Sequence, residues 1–245
     1  MQQFQSHVRD ELDIWQVELE AASPQEILRF AVDQFGEGLA VVTSFQPTGI
    51  VTLHMLQQIA PATTVITLDT GFLFPETLRL IEELTARFDL DLFRICPQLN
   101  PAQQALAHGP ELWERNPDLC CHLRKVLPLR NALRDYSAWI AGLRRDQSAR
   151  RSAIPVIDWD NGNQLLKLSP FATWTADQIW DWIDRHDLPF NSLHTQGYPS
   201  IGCTHCTHPV FEHSAGRSGR WQDFDKTECG LHFQQLPEAE GESRQ

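Results

Sequence analysis

Six cysteines stand out in this chain of 245 residues, at positions 96, 120, 121, 203, 206 and 229. Cys203 and Cys206 form a C-x-x-C pair, a spacing that lets two sulfurs face one centre across a tight turn. Such a pair is a half-site for zinc or iron–sulfur, and dithiol redox chemistry uses the same spacing. Cys120 and Cys121 offer a second half-site. Neighbours on regular structure point in different directions, so this pair also reads as two small buried apolar side chains. Four thiolates divided as CC and CxxC suit a site that closes one face of a domain, and spacing does not separate Zn from Fe–S. A zinc site made by His205 and His208 with the CxxC pair is the alternative, and it would leave Cys120 and Cys121 idle.

Cys229 lies in Thr227-Glu228-Cys229-Gly230-Leu231-His232, after a glycine-rich stretch holding Arg217 and Arg220. A lone cysteine near a chain end is usually an exposed thiol. Here one histidine and two arginines stand close enough in sequence to lower its pKa and favour the nucleophilic thiolate. Cys96, in Arg94-Ile95-Cys96-Pro97, lacks such company and reads as structural. Asp69 and Glu76 frame a helix start, where an acid favours the macrodipole, and neither is assigned as a general base. Trp174, Trp180 and Trp182 read as packing residues on or beside an amphipathic helix.

The formal charge of −12 argues against nonspecific nucleic-acid binding, which relies on a positive field. The basic residues are nevertheless unevenly placed. Arg124, Lys125, Arg130, Arg134, Arg144, Arg145, Arg150 and Arg151 crowd one stretch, opposed only by Asp135 and Asp146. A basic middle in an acidic chain suggests a pocket for phosphate or sulfate, with Arg supplying bidentate contacts. The first residues lack the basic start and apolar stretch of a signal peptide, and the longest apolar runs are strand-sized. A cytoplasmic protein without a membrane span is expected.

The elements that must position these residues follow from hydrophobic periodicity. Leu12, Trp15 and Leu19 give a first helix, and Ser23-Pro24-Gln25-Glu26 reads as a capping box opening a second that ends near Gly36. Strands are expected over 39–43, 64–68, 91–95 and 138–143, with helices over 50–59, 75–88 and 124–134 between them. A second capping box at Thr175 to Gln178 opens a helix running to His186. Alternating strands and helices argue a parallel sheet with helices on both faces. Ligands of such sheets bind beyond the carboxyl ends of the strands, where SFQPTG, LDTGFLFPET and GLRRDQS fall. After Pro189 the chain turns loop-rich, and PEAEGESRQ at its end reads as disordered. We divide the chain into an α/β domain over 1–208 and a mobile tail over 209–245.

Six ordered motifs carry a specific resemblance: TSF at 43–45, LDTGFLFPET at 68–77, CCHLRKVLPL at 120–129, GLRRDQS at 142–148, GYPSIGCTHCT at 197–207 and ECGLH at 228–232. Together they resemble the assimilatory sulfonucleotide reductases, the adenylyl-sulfate and 3′-phosphoadenylyl-sulfate reductase family, of the cluster-bearing type. The resemblance implies an adenine-nucleotide α-hydrolase-like, Rossmann-like fold. It implies that Cys120, Cys121, Cys203 and Cys206 hold a [4Fe–4S] cluster. It implies that Cys229 attacks the sulfonucleotide sulfur, giving a Cys-S-sulfonate, after which thioredoxin or a similar dithiol attacks Cys229 and sulfite leaves. Lys125 would lie between cluster and substrate, and His232 would arrive with Arg217 and Arg220 when the tail closes. Ser44, Phe45, Leu68, Gly142, Arg144, Arg145 and Arg151 would complete the substrate site. Adenylyl sulfate is the expected substrate, with the 3′-phosphorylated nucleotide as alternative and a zinc-stabilised, non-reductive nucleotide-binding protein as the distant one. Cys229 argues against the last, which has no use for a tail thiol. A homo-oligomer is compatible with the sequence. Two departures concern the substrate loops: Gln46-Pro47-Thr48-Gly49 stands where many cluster-bearing members carry an acid, and the central loop is short, leaving Arg150 and Arg151 to compete for one role.

Overall fold

The computed structural model describes residues 2–210 and 216–232. Two helices open the chain, α1 (Gln2–Glu20) and α2 (Pro24–Phe35). Ser23 and Glu26 close the expected capping box on α2, with Pro24 in the first turn, where a missing N–H costs nothing. Then come β1 (Leu39–Val42), α3 (Pro47–Ile59), β2 (Thr64–Leu68), α4 (Pro75–Phe88) and β3 (Leu92–Ile95). Helix α3 begins at Pro47 rather than at the expected Ile50, because proline's fixed φ is preorganised for the first helical position.

The middle of the chain is more broken than its sequence suggests. It holds α5 (Pro101–His108), α6 (Leu112–Arg115) and α7 (Pro117–Cys121), a π-helical turn (His122–Val126), and α8 (Leu127–Ala132). After β4 (Ala138–Ala141), β5 (Ile157–Asp160) and β6 (Leu165–Leu168) form a hairpin that was not expected, followed by α9 (Ala176–Arg185). Asp160 braces the hairpin turn, accepting from Gly162 N at 3.0 Å, Asn163 Nδ2 at 2.7 Å and Trp139 Nε1 at 3.1 Å.

The six strands make one sheet in the order β3-β2-β1-β4-β6-β5, parallel except for β5. Strand β4 is buried along its whole length, as a strand covered on both faces must be. From β1 the chain steps outward to β2 and β3, then returns to β4 on the other side of β1. The order therefore reverses between β1 and β4, where Val42 pairs with Ala141. Thr43 and Gly142, one residue beyond each, face the crevice where such folds bind ligands. A second, smaller core joins Cys121, Cys203, Cys206 and Trp221. Among the described residues no helix is long and apolar enough to cross a membrane. Residues 211–215 and 233–245, including the end expected to be disordered, lie outside the described residues.

Candidate active site

A cavity of about 350 Å³ opens at the switch point. One wall is the loop from β1 into α3. Gly49 sits so close to Thr43 that a Cβ there would lie 2.2 Å from Thr43 Oγ1, so only glycine lets the chain turn this tightly. The N-terminus of α3 then faces the cavity, a natural anion site because its first amides lack intrahelical partners. Ser44 is exposed on this wall. Gln46 accepts from Ile201 N at 3.0 Å, while its buried Nε2 has no partner among the described residues. Leu68, Gly142 and Trp180 also line the cavity.

Its cations come from three segments. Lys125 comes from the π turn, Arg144 and Arg151 from the loop after β4, and Arg217 and Arg220 from the described part of the tail. Arg144 is held by Asp146 Oδ1 at 2.9 Å and donates to Thr48 Oγ1 at 2.6 Å. Arg151 forks onto Glu228, Nε to Oε1 at 2.7 Å and Nη2 to Oε2 at 2.6 Å. Arg220 donates to the Cys206 carbonyl at 3.1 Å. Burial and neighbouring Arg220 hold Arg217 down to about 10, still cationic at neutral pH.

Cys229 faces this cavity. Burial opposes its ionisation, but Lys125, Arg217, the Leu231 N–H and Arg220 outweigh it, and the thiol titrates below its ordinary range. Lys125 shows the converse. Burial disfavours its charge, yet Cys203, Cys121 and Cys229 raise its pKa overall. His232 lines the same cavity with its ring stacked on Trp139 at 5.5 Å and 8°. Burial and then Arg151 push its pKa well down, so it stays neutral at pH 7 and cannot pair with a thiolate as a cation.

Lys125 and Cys203 also wall a second, smaller cavity, lined by all of Cys120, Cys121, Cys203 and Cys206 together with Phe72 and Trp113. The CC pair ends α7, and the CxxC pair is fastened under residues 70–73. Thr204 N donates to the Phe72 carbonyl at 2.8 Å, and Thr70 Oγ1 lies 3.3 Å from Cys203 Sγ. Burial and neighbouring Cys203 raise the Cys120 and Cys206 thiols, and burial dominates at Cys121, which also rises. Four sulfurs around one space, with Arg124 and Lys125 also on its wall, could hold a metal group whose positive charge would draw off those protons. Among the described residues no three such side chains meet closely enough for a single ion. The thiols surround a space rather than a point.

A family model described as the phosphoadenosine phosphosulfate reductase domain matches residues 38–209. This chain belongs to that family. It is 49% identical over 216 residues to the adenosine 5′-phosphosulfate reductase of Salinibacter ruber, covering 88% of this chain and 86% of that protein. It is 47% identical to the phosphoadenosine 5′-phosphosulfate reductase of Gloeobacter violaceus, covering 87% and 90%. The crystal structure of a phosphoadenylyl-sulfate reductase from Candida auris, a phosphate complex, superposes with a TM-score of 0.73 at 32% identity, over 81% of this chain and 97% of that one. The architecture is the adenine-nucleotide α-hydrolase-like fold, and the chain is an oxidoreductase of the sulfonucleotide reductase family.

Within this reductase fold some expected substrate contacts move elsewhere. Arg145 does not line the cavity. It forks onto Glu20 of α1 at 2.6 and 2.9 Å and donates to the Ile154 carbonyl, tying the N-terminal helix to the loop after β4. Phe45 is 1% exposed in the core, and its left-handed backbone, φ 53°, shapes the loop while its ring packs away from the cavity. Arg151 lines the cavity, but its donors are engaged by Glu228 and Gln147. Cys96, read as structural, is exposed at the end of β3. His205 stacks on Trp113 at 3.9 Å and 10°, a packing role beside the cysteine cavity. Sequence reading missed Gln46 and Trp139 at the cavity and Glu228 beside it. Gln46 had a signal in its departure from the family's loop; Trp139, inside a buried strand, had none.

Proposed function

We propose that this reductase converts adenylyl sulfate to sulfite and AMP, with thioredoxin or a similar dithiol protein as electron donor. The observation that carries the reading is the Cys229 thiol held low between Lys125, Arg217 and Arg220 on one cavity. Lys125, Arg217 and Arg220 draw the sulfuryl and phosphoryl oxygens toward Cys229, while the α3 amides receive phosphate. The Cys229 thiolate attacks sulfur, the S–O bond to phosphate breaks, and AMP leaves with the electron pair. A phosphate leaves readily, so no strong acid is needed, in keeping with a neutral His232. One donor thiol then attacks Cys229 Sγ and sulfite departs with the bonding pair. The donor's second thiol resolves the mixed disulfide, releasing Cys229 as thiolate and oxidising the donor by two electrons. The strap over 216–232 must open between these stages.

Cys120, Cys121, Cys203 and Cys206 would hold a [4Fe–4S] cluster, a reading supported by their four sulfurs lining one cavity. When bound, the cluster supplies cationic iron that keeps those four thiolates deprotonated and fastens the two cysteine segments together. The reducing cytoplasm suits six free cysteines.

The choice of adenylyl sulfate rests on charge. A 3′-phosphate needs cationic partners of its own, and an unpaired buried dianion would be costly. Arg144 and Arg151 already face Asp146 and Glu228, and the 44–49 loop has no Lys or Arg. The relative from Gloeobacter violaceus keeps the 3′-phosphorylated nucleotide as the second reading. Steady-state comparison of the two nucleotides decides between them. A kcat/KM for adenylyl sulfate at least about tenfold higher is expected, and a higher value for the 3′-phosphorylated nucleotide would reverse the assignment.

A further inference from the structure

We infer that Glu228 is a positioning residue, a latch that pairs with Arg151 to hold Cys229 in register over the cavity. The inference rests on Cys229 being the nucleophile. Both side chains of the pair are deeply buried, Arg151 at 6% and Glu228 at 3% exposure. The contact is a two-point fork, 2.7 Å from Nε to Oε1 and 2.6 Å from Nη2 to Oε2, which fixes orientation as well as distance. Arg151 Nη1 donates to Gln147 Oε1, so every guanidinium nitrogen is engaged and the receiving side is itself held. Arg217 adds a second cation, 3.7 Å from Glu228 Oε2, and donates through Nε to the Thr227 carbonyl at 3.1 Å. The fork thus joins the loop after β4 to the strap one residue from the thiol. Cys229 lines the cavity and Glu228 does not, so the carboxylate acts through its neighbour.

The strap has other attachments. Lys226 meets Asp118 on α7, but Asp118 is 81% exposed, and such a pair adds little. Leu231 packs on the main core and His232 stacks on Trp139, fastening the far side of Cys229. The buried fork differs in kind. Two charges taken out of water nearly cancel their mutual attraction, so the pair supplies geometry at little net stabilisation. A fastening of that sort can let go when the strap must present Cys229 to a dithiol protein. Removing one partner, by contrast, leaves a buried charge alone and should spring the strap.

The test compares wild type with Glu228→Gln, with each single reversal Glu228→Arg and Arg151→Glu, and with the double reversal. Three readouts are taken on the full chain: Cys229 alkylation by iodoacetamide at fixed pH, hydrogen exchange over residues 226–232, and sulfonate formation with adenylyl sulfate in a single turnover. Glu228→Gln is expected to speed alkylation at least about tenfold, lower amide protection, and slow sulfonate formation by a similar factor, since an unpaired buried charge is costly. KM for the nucleotide should change less than about threefold, because the carboxylate lies off the cavity. The double reversal should restore protection that neither single reversal keeps. Wild-type alkylation and exchange in Glu228→Gln would overturn the latch and leave Leu231 and His232 as the strap's fastening. Should Glu228→Gln fail to fold, Glu228→Asp, which keeps the charge but not the reach, carries the same readouts. An inactive Cys229→Ser protein beside an unaltered Glu228→Gln sinks the latch alone, whereas turnover by Cys229→Ser sinks the nucleophile itself.

Discussion

The two cavities share Lys125 and Cys203, yet they treat the same side chain in opposite ways. In the larger one Cys229 sits among Lys125, Arg217 and Arg220 and is held low. In the smaller one Cys120, Cys121 and Cys206 line one space with Phe72 and Trp113, and burial pushes all three up. Burial acts on every one of these thiols in the same direction; what differs is the balance, since Lys125, Arg217 and Arg220 outweigh it at Cys229 while Lys125 does not at Cys121. Fixed cations make a thiolate ready to attack, whereas clustered thiols remain protonated until a metal group replaces their protons. On the function proposed above, one region serves a nucleophile and the other serves ligands.

Cys229→Ser breaks the comparison at its nucleophilic end and should show the largest effect. Sulfite production should fall at least about 10⁴-fold, as when other enzymes lose their nucleophile, with the iron content unchanged. Next comes Cys120→Ser at the ligand end. It should lose visible absorbance and iron and lower the melting temperature by roughly 10 °C, because a metal site's binding energy is also folding energy. Lys125→Met removes the cation common to both walls and should slow sulfonate formation about 100-fold at neutral pH. Its pH profile carries a sign. A thiol held low stays ionised as pH falls, and adduct formation is lost only as pH drops through that lowered pKa. Without Lys125 the Cys229 pKa rises, so the profile should move to higher pH. The smallest effect belongs to Arg145→Ala, outside both cavities. It should leave KM within about twofold and cost about 1 kcal/mol of stability by chemical denaturation, since its pair with Glu20 is partly exposed.

How far the sequence reached differs between the two regions. The larger cavity was legible because a parallel sheet places its ligands at strand ends, and the loops at 44–49 and 142–148 could be located from strand periodicity. The arginines in the second of those loops were not individually legible. Arg144 and Arg145 are adjacent, and only the folded chain sends one to the cavity and the other to Glu20, in a helix far away in sequence. The cysteine cavity was legible as residue types, while its closure depends on Thr204 pairing with Phe72 and on a π-helical turn, neither of which leaves a periodic signal. The β5–β6 hairpin had a cue, Asn161-Gly162 between two short apolar runs, that strand-helix alternation overrode.

The central claim is that Cys229 carries the sulfonate, and intact-protein mass spectrometry reads it directly. Wild-type protein given adenylyl sulfate without any dithiol should stop after one event, with a gain of about 80 Da, the mass of SO₃, on the peptide holding Cys229. Adding thioredoxin should return the original mass and release one equivalent of sulfite. No adduct, an adduct on another cysteine, or sulfite released steadily without a thiol would contradict the account.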